Sequence, residues 1–162
     1  IDANNASEMG PFSPERTGGL PVGDLVKLCY SGKYTLDEMK IKLKGKGGLA
    51  SYLGITDGIE IEEKIKSGDK KAELVYSALA YQVAKEIGAM ATALRGKVDN
   101  IILTGGLAYS EYLVDIISDM VGFIAEIVIY PGEDEMDALN KGVLRILNGE
   151  EKGKIYEDEV MR

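Results

Sequence analysis

The sequence predicts an α/β fold built on a small parallel sheet, and three observations lead there. Two short apolar runs, Asn100–Thr104 and Ile127–Tyr130, each stop at glycine, the first at Gly105-Gly106 and the second at Pro131-Gly132. Their length, β-branched content and abrupt ends read as buried parallel strands. Helical patterns precede, separate and follow them, giving the order helices, then β-α-β-α.

The bulk numbers agree with a globular domain. The chain has 162 residues, 45% hydrophobic and 28% charged, enough for one real core. Its net charge of −8 argues against nucleic acid and against an anionic membrane surface, both of which need a basic footprint. Anionic ligands would need a locally positive site made by backbone amides or a few basic side chains. The single cysteine, Cys29, excludes an intramolecular disulfide and suits a reducing compartment. It lies in the apolar run Leu25–Tyr30 and reads as a small buried hydrophobe. With no histidine, His-based triads and most zinc sites are excluded. No apolar run is long enough to span a bilayer.

Taken in order, residues 4–21 are rich in Asn, Ser, Gly and Pro and read as an ordered loop or a linker. Helices are expected over 22–31 and 35–44, the second opened by a Thr35–Glu38 capping box. Five glycines over 45–58 predict a loop with a short turn or two. A polar helix is expected over 59–67. The strongest helical signal runs from 69 to 95, with Asp69 as N-cap and Gly96 as stop. Val75, Leu79, Val83, Ile87, Met90 and Leu94 form its apolar stripe. Ala80, Ala84 and Gly88 form a small-residue row that would let its back lie close to a neighbour. Further helices are expected over 109–121 and 134–148. The expected organisation is one domain over 1–149 and a charged tail over 150–162. Two strands make a poor sheet, and the chain opens at Ile1-Asp2-Ala3, which reads like the end of a strand. A fragment lacking upstream strands is therefore expected, with a cleaved tag or a processed terminus as the alternative account of the start at Ile1.

Four segments could carry chemistry. A strand ending in Gly105-Gly106 before a helix lets a ligand approach bare main chain and helix N–H groups, although a tight βα turn would use the same residues. Glu133, Asp134 and Glu135 could hold Mg²⁺ beside phosphates, or they could simply complement a helix dipole. Arg16, in Ser13-Pro-Glu-Arg16, could stabilise a transferring phosphoryl group or be an ordinary surface arginine. Lys44-Gly-Lys-Gly-Gly48 lacks the strand–loop–helix context of a P-loop and reads as a mobile loop.

Several segments together resemble the acetate and butyrate kinase family. Ala80–Gly88 is similar to the family's long helix, Ile101–Gly106 to its adenosine motif, and Gly47–Leu49 with Leu53–Asp57 to its "SGLLGISG…SD" loop. Gly10–Arg16 and Tyr130–Ala138 resemble the butyrate kinase branch. The resemblance covers Ile1 to about Gly149 and implies the later part of a ribonuclease-H-like, actin-like ATPase domain. It implies reversible transfer of the γ-phosphoryl group of ATP to a short-chain fatty acid carboxylate such as butyrate, giving acyl phosphate and ADP. It also implies Mg²⁺, a cytoplasmic location and a homo-oligomer. Thr104, Gly105, Gly106, Leu107 and Ala108 match the adenosine motif, Asp57 the adenine-side aspartate, and Glu135 the metal-associated glutamate.

Departures from the pattern stand beside these matches. Pro21 occupies the place of the arginine that precedes the family's Gly-Asp pair, here Gly23-Asp24, leaving Arg16 as the substitute for a catalytic arginine. Gly58 and Ile59 stand where acetate kinases carry an aromatic and an arginine. The family's histidine-led phosphate motif lies upstream of this chain. Two rival readings follow: a non-catalytic nucleotide-binding or assembly domain of the same fold, and a related kinase acting on acetate, propionate or a branched acid.

Overall fold

The computed structural model describes residues 9–155. The expected strand end at Ile1–Ala3, the start of the N-terminal loop and the last seven residues of the tail lie outside them. The chain divides after Pro131 into two compact units.

The first unit begins with a loop and two small helices, α1 (Val22–Cys29) and α2 (Leu36–Leu43). The capping box of α2 is present as expected: the Thr35 hydroxyl accepts from the Glu38 N–H at 3.3 Å, and the Glu38 carboxylate accepts from the Thr35 N–H at 2.7 Å. No side chain of α1 is buried, and Cys29 is exposed, contrary to the expected burial. Apolar spacing specifies a helix face, but nothing among the described residues covers this one.

Residues 45–58 are more ordered than expected. They contain α3 (Gly48–Leu53), and the glycines ahead of it are packed rather than mobile. Gly48 has φ +53°, and a Cβ there would lie 1.7 Å from the Ser13 carbonyl oxygen; one on Gly47 would lie 2.7 Å from the Thr17 nitrogen. These glycines let two backbones touch. Across the contact, the N–H groups of Gly45 and Gly47 donate to Glu15 O, Leu49 N–H to Ser13 O and Ala50 N–H to Pro14 O, at 2.8–3.1 Å.

Helices α4 (Gly58–Lys66) and α5 (Lys70–Ala93) follow. Asp69 caps α5, accepting from the N–H groups of Lys71 and Ala72. The buried face of α5 is Ala72, Tyr76, Leu79, Ala80 and Ala84, rotated from the expected stripe, whose last member, Leu94, is exposed. Ala80 and Ala84 of the small-residue row are buried, while a Cβ on Gly88 would meet no neighbour. That face packs on Leu49, Ile61, Ile101, Leu113, Ile117 and Val121 to form the core.

Strands β1 (Asn100–Gly105) and β2 (Glu126–Pro131) pair in parallel as predicted, with Ile101 opposite Ile127 and Gly105 opposite Pro131. Complete burial is not observed. Ile101 is buried, whereas its neighbour Ile102 is 61% exposed. Ile101, Leu103 and Ile127 face the helical core, and the opposite face of the sheet is open among the described residues. Between the strands lies α6 (Glu111–Val121), capped by Ser110, whose side chain accepts from the Leu113 N–H.

The second unit holds α7 (Glu135–Leu147), with acidic Glu135 and Asp137 in its first turn. Lys141 pairs with Asp137, and Arg145 pairs with Glu151 just beyond the helix end.

Candidate functional site

The site grows from the carboxyl end of β1. The chain leaves the strand at Gly105 with φ +88°, a conformation that glycine alone adopts without strain. The helix expected over 109–121 is observed as Glu111–Val121, and a short turn precedes it. Gly106–Tyr109 form a 3₁₀ turn, and α6 starts only at Glu111, with its Leu113 N–H already taken by Ser110. A ligand here would meet the strand end and the tight turn, not the start of α6. The cause is local: Ser110 is a strong N-cap residue and starts the helix after itself.

Within the matching stretch the residues divide into two groups. Thr104 and Gly106 are exposed, and a Cβ on either Gly105 or Gly106 would meet no atom within 4 Å. Gly106 lacks the positive φ of Gly105, so neither backbone strain nor crowding among the described residues calls for a glycine there. A bare backbone beside open space is what a ligand that seats on main chain needs. Leu107 and Ala108 instead turn inward, Leu107 onto the core and Ala108 to 9% exposure. Their side chains hold the turn down, leaving their main chain as the part that could face a ligand.

Asp57 lies beside this turn. It caps α4 by accepting from the Ile59 N–H at 2.8 Å. The next residue, Gly58, abuts the turn, since a Cβ there would be 3.9 Å from Leu107 Cδ2 and 2.7 Å from the Tyr76 hydroxyl. The fold thus brings the Asp57–Gly58 corner against the 106–109 turn, about 50 residues apart in sequence. A second link joins the same elements, as the Ser110 hydroxyl donates to the Glu62 carboxylate of α4 at 2.6 Å.

Tyr76 sits under this junction with its residue fully buried, stacked on Tyr112 at 5.9 Å between ring centroids. Its hydroxyl has no hydrogen-bond partner among the described residues. Burial raises the phenol's pKa, opposed by hydrogen bonding with the nearby Ser110 side chain and helped by the carboxylates of Glu62 and Asp57. An orphaned buried hydroxyl costs about 1–3 kcal/mol. Sequence reading missed Tyr76, Glu62 and Ser110. Ser110 was recoverable as a serine before an apolar helical run, while nothing local marks the other two.

Arg16 stands apart. Its backbone bridges Lys44, and its N–H donates to the Ser13 hydroxyl at 3.1 Å. The guanidinium enters none of the ion pairs found among the described residues. None of its hydrogen bonds reaches the 104–108 turn. Glu135 opens α7 in the second unit. Its hard oxygen donors fit Mg²⁺, an ion commonly held by one or two carboxylates together with phosphates and water. Among the described residues no three acidic or cysteine side chains converge as a metal cluster. A cleft of about 380 Å³ along β1 is lined by Leu79, Val83, Ile101, Leu103 and Leu107. Its hydrocarbon walls suit packing rather than phosphate.

Comparison with known proteins bears on this geometry. Residues 10–138 match the model of the acetokinase family. Over 156 residues the chain is 62% identical to "Probable butyrate kinase 2" of Caldanaerobacter subterraneus subsp. tengcongensis, covering 96% of this chain and 44% of that protein. Among solved structures, acetate kinase of Porphyromonas gingivalis superposes with a TM-score of 0.73 at 21% identity, over 85% of this chain and 41% of that one. A propionate kinase from Francisella tularensis subsp. tularensis gives 0.70 at 16%, over 80% and 39%. These likenesses bear out the expected α/β fold, which the chain shares with part of these acetate and propionate kinases. The chain spans less than half the length of each of these relatives.

Proposed function

The chain belongs to the acetokinase family, and from that premise we propose that the whole protein transfers the γ-phosphoryl group of ATP to the carboxylate of a short-chain fatty acid, butyrate foremost, and runs the reaction in reverse. This chain supplies part of the nucleotide wall. One carboxylate oxygen attacks the γ-phosphorus in line. The bond from that phosphorus to the β,γ-bridging oxygen breaks, and ADP leaves with the electron pair, yielding an acyl phosphate. An ionised carboxylate needs no general base, so the protein's task is positioning and charge neutralisation.

The observation that carries this reading is the bare Gly105-Gly106 backbone facing open space beside the Asp57–Gly58 corner. Thr104 and the main chain of Gly105, Gly106, Leu107 and Ala108 would line one side of the nucleoside, and Asp57 the other. Mg²⁺ supplies neutralisation of the phosphate charge, and Glu135 is this chain's group suited to holding it, directly or through water. Arg16 would meet the transferring phosphoryl group. A homo-oligomer working in the cytoplasm fits the family and the single cysteine; among the described residues no helix is long and apolar enough to cross a membrane.

The test is a hydroxamate assay on the full-length protein with ATP, Mg²⁺ and butyrate, alongside acetate, propionate and a branched acid. Acyl hydroxamate formed fastest with butyrate, and lost in Gly106→Val, is expected. Nucleotide binding without acyl phosphate from any acid would overturn the kinase reading in favour of a non-catalytic binding domain. The occupation of the usual arginine place by Pro21 is the feature that favours that alternative.

A further inference from the structure

The clamp between the Ser13–Arg16 turn and the glycines ahead of α3 sets two cations opposite one another. Arg16 and Lys44 are the opposed residues of an antiparallel bridge. Its hydrogen bonds flank them: Thr17 N–H donates to Leu43 O at 3.1 Å, and Gly45 N–H to Glu15 O at 2.8 Å. In a pair flanked in this way the α-carbons approach to about 4.5 Å and the side chains leave the same face close together. Like charges directly opposite one another are destabilising. Other cations of the same stretch have partners, since Lys40 pairs with Asp37 and Lys42 lies over the Tyr34 ring. Arg16 and Lys44 enter none of the ion pairs among the described residues. The backbone beneath them is held close, as Gly47 and Gly48 are buried and a Cβ on Gly48 would lie 2.7 Å from Arg16 O. In a chain of net charge −8, a fixed pair of cations calls for a physical reason.

We propose that Arg16 and Lys44 form one oxyanion site for the phosphoryl group of the substrate, which makes Lys44 a second phosphoryl-binding cation beside Arg16. The inference deepens the kinase reading above and rests on it. The guanidinium offers a planar fork of N–H donors and the ammonium three more, all without acceptors of their own. A single carboxylate is satisfied by the arginine fork alone. A terminal phosphoryl group carries close to two negative charges and three acceptor oxygens, so it balances two cations and has oxygens for both. That match in charge and in donor number is why the ligand is a phosphoryl group. The glycines of Lys44-Gly-Lys-Gly-Gly48 supply the base for this pair, since they let the two backbones lie in contact and so hold both long side chains at one place.

The experiment compares full-length wild type with Lys44→Met and Lys44→Arg. It reads kcat/KM for ATP in the hydroxamate assay, and the Tm at low salt with and without inorganic phosphate. Lys44→Met should lower kcat/KM about tenfold, the scale of one charge-assisted hydrogen bond. It should also lose most of the rise in Tm that phosphate gives, with the Tm in the absence of phosphate unchanged or raised, because a like-charge contact is gone. Lys44→Arg keeps the charge and should restore most of both losses. A purely structural role, with a carboxylate elsewhere in the protein paired to Lys44, would show the reverse: a lowered Tm without phosphate and an unchanged kcat/KM. That result overturns the proposal, as does a response to phosphate that is absent from wild type or equal in wild type and Lys44→Met. Wild-type protein that forms no acyl phosphate from any acid would overturn the kinase reading itself. That outcome is separable from failure of Lys44, because the phosphate-dependent Tm is read without turnover.

Discussion

The hydroxyl of Tyr76 lies 2.7 Å from the point where a Cβ on Gly58 would stand, so the first residue of α4 is a glycine because of a side chain on α5. Gly58 also abuts Leu107, so this one steric relationship sets how closely the Asp57 corner approaches the glycine turn.

Gly58→Ala should destabilise the protein by about 1–3 kcal/mol through overpacking. Removing the oxygen should relieve much of that. The double variant Gly58→Ala/Tyr76→Phe is expected to be more stable than Gly58→Ala alone, with a coupling of about 1 kcal/mol or more in denaturant unfolding. Simple additivity would mean the contact carries no such strain.

Asp57 has a capping role that is observed and a nucleotide role that is proposed, and two substitutions separate them. Asp57→Ala should cost about 1 kcal/mol of stability by losing the bond to the Ile59 N–H. Asp57→Ser keeps an N-cap acceptor and should recover most of that stability. If Asp57 also contacts nucleotide, the serine variant will still show a raised KM for ATP; full recovery of KM would reduce Asp57 to a cap.

Arg16 uses its backbone for structure, leaving the guanidinium outside the ion pairs described. Arg16→Ala should therefore change Tm by little while lowering kcat by about 100-fold or more, the scale for removing a group that stabilises phosphoryl charge. An unchanged kcat would place the catalytic arginine elsewhere in the protein.

Gly48 and Gly54 both have positive φ, at +53° and +72°, yet they should respond differently to alanine. At Gly54 the Cβ meets open space, and the cost should be about 1–2 kcal/mol of backbone strain. At Gly48 the Cβ would lie 1.7 Å from the Ser13 carbonyl oxygen, so the clamp between the Ser13–Arg16 turn and α3 must open. A loss above about 3 kcal/mol is expected from urea unfolding.

Acid should weaken the start of α5. The Asp69 carboxylate is held below its usual range chiefly by the Ala72 N–H, opposed by desolvation and helped by the Lys71 N–H and nearby Lys64 and Lys71. A pKa depressed by folding gives stability present in full above the unfolded value, about 3.9, and lost as pH falls through the lower folded value. Asp69→Asn keeps an oxygen acceptor and should flatten stability against pH below about 4, most clearly at low salt. An identical acid limb in wild type and variant would assign that limb to other carboxylates such as Glu38, which is lowered mainly by its bond to the Thr35 backbone.

Local sequence determined the elements whose signals are local. The Thr35–Glu38 box, the Asp69 cap, the long helix and the two parallel strands follow from side chains within a few residues of one another, which propensity and periodicity can read. The family resemblance of the glycine turn and of the Asp57 loop is legible too, because both matched motifs are contiguous. Tertiary structure alone decided what depends on residues far apart. It turned the glycine-rich 45–48 stretch from an apparent loop into a packed clamp, because Ser13–Thr17 lies across it. It left Cys29 and Ile102 exposed, because an apolar pattern specifies a face without supplying the partner that covers it. It also set Tyr76, Glu62 and Ser110 under the candidate site, since 34 residues of sequence separate Tyr76 from Ser110 and only the packing of α4 and α5 against the turn brings them within reach.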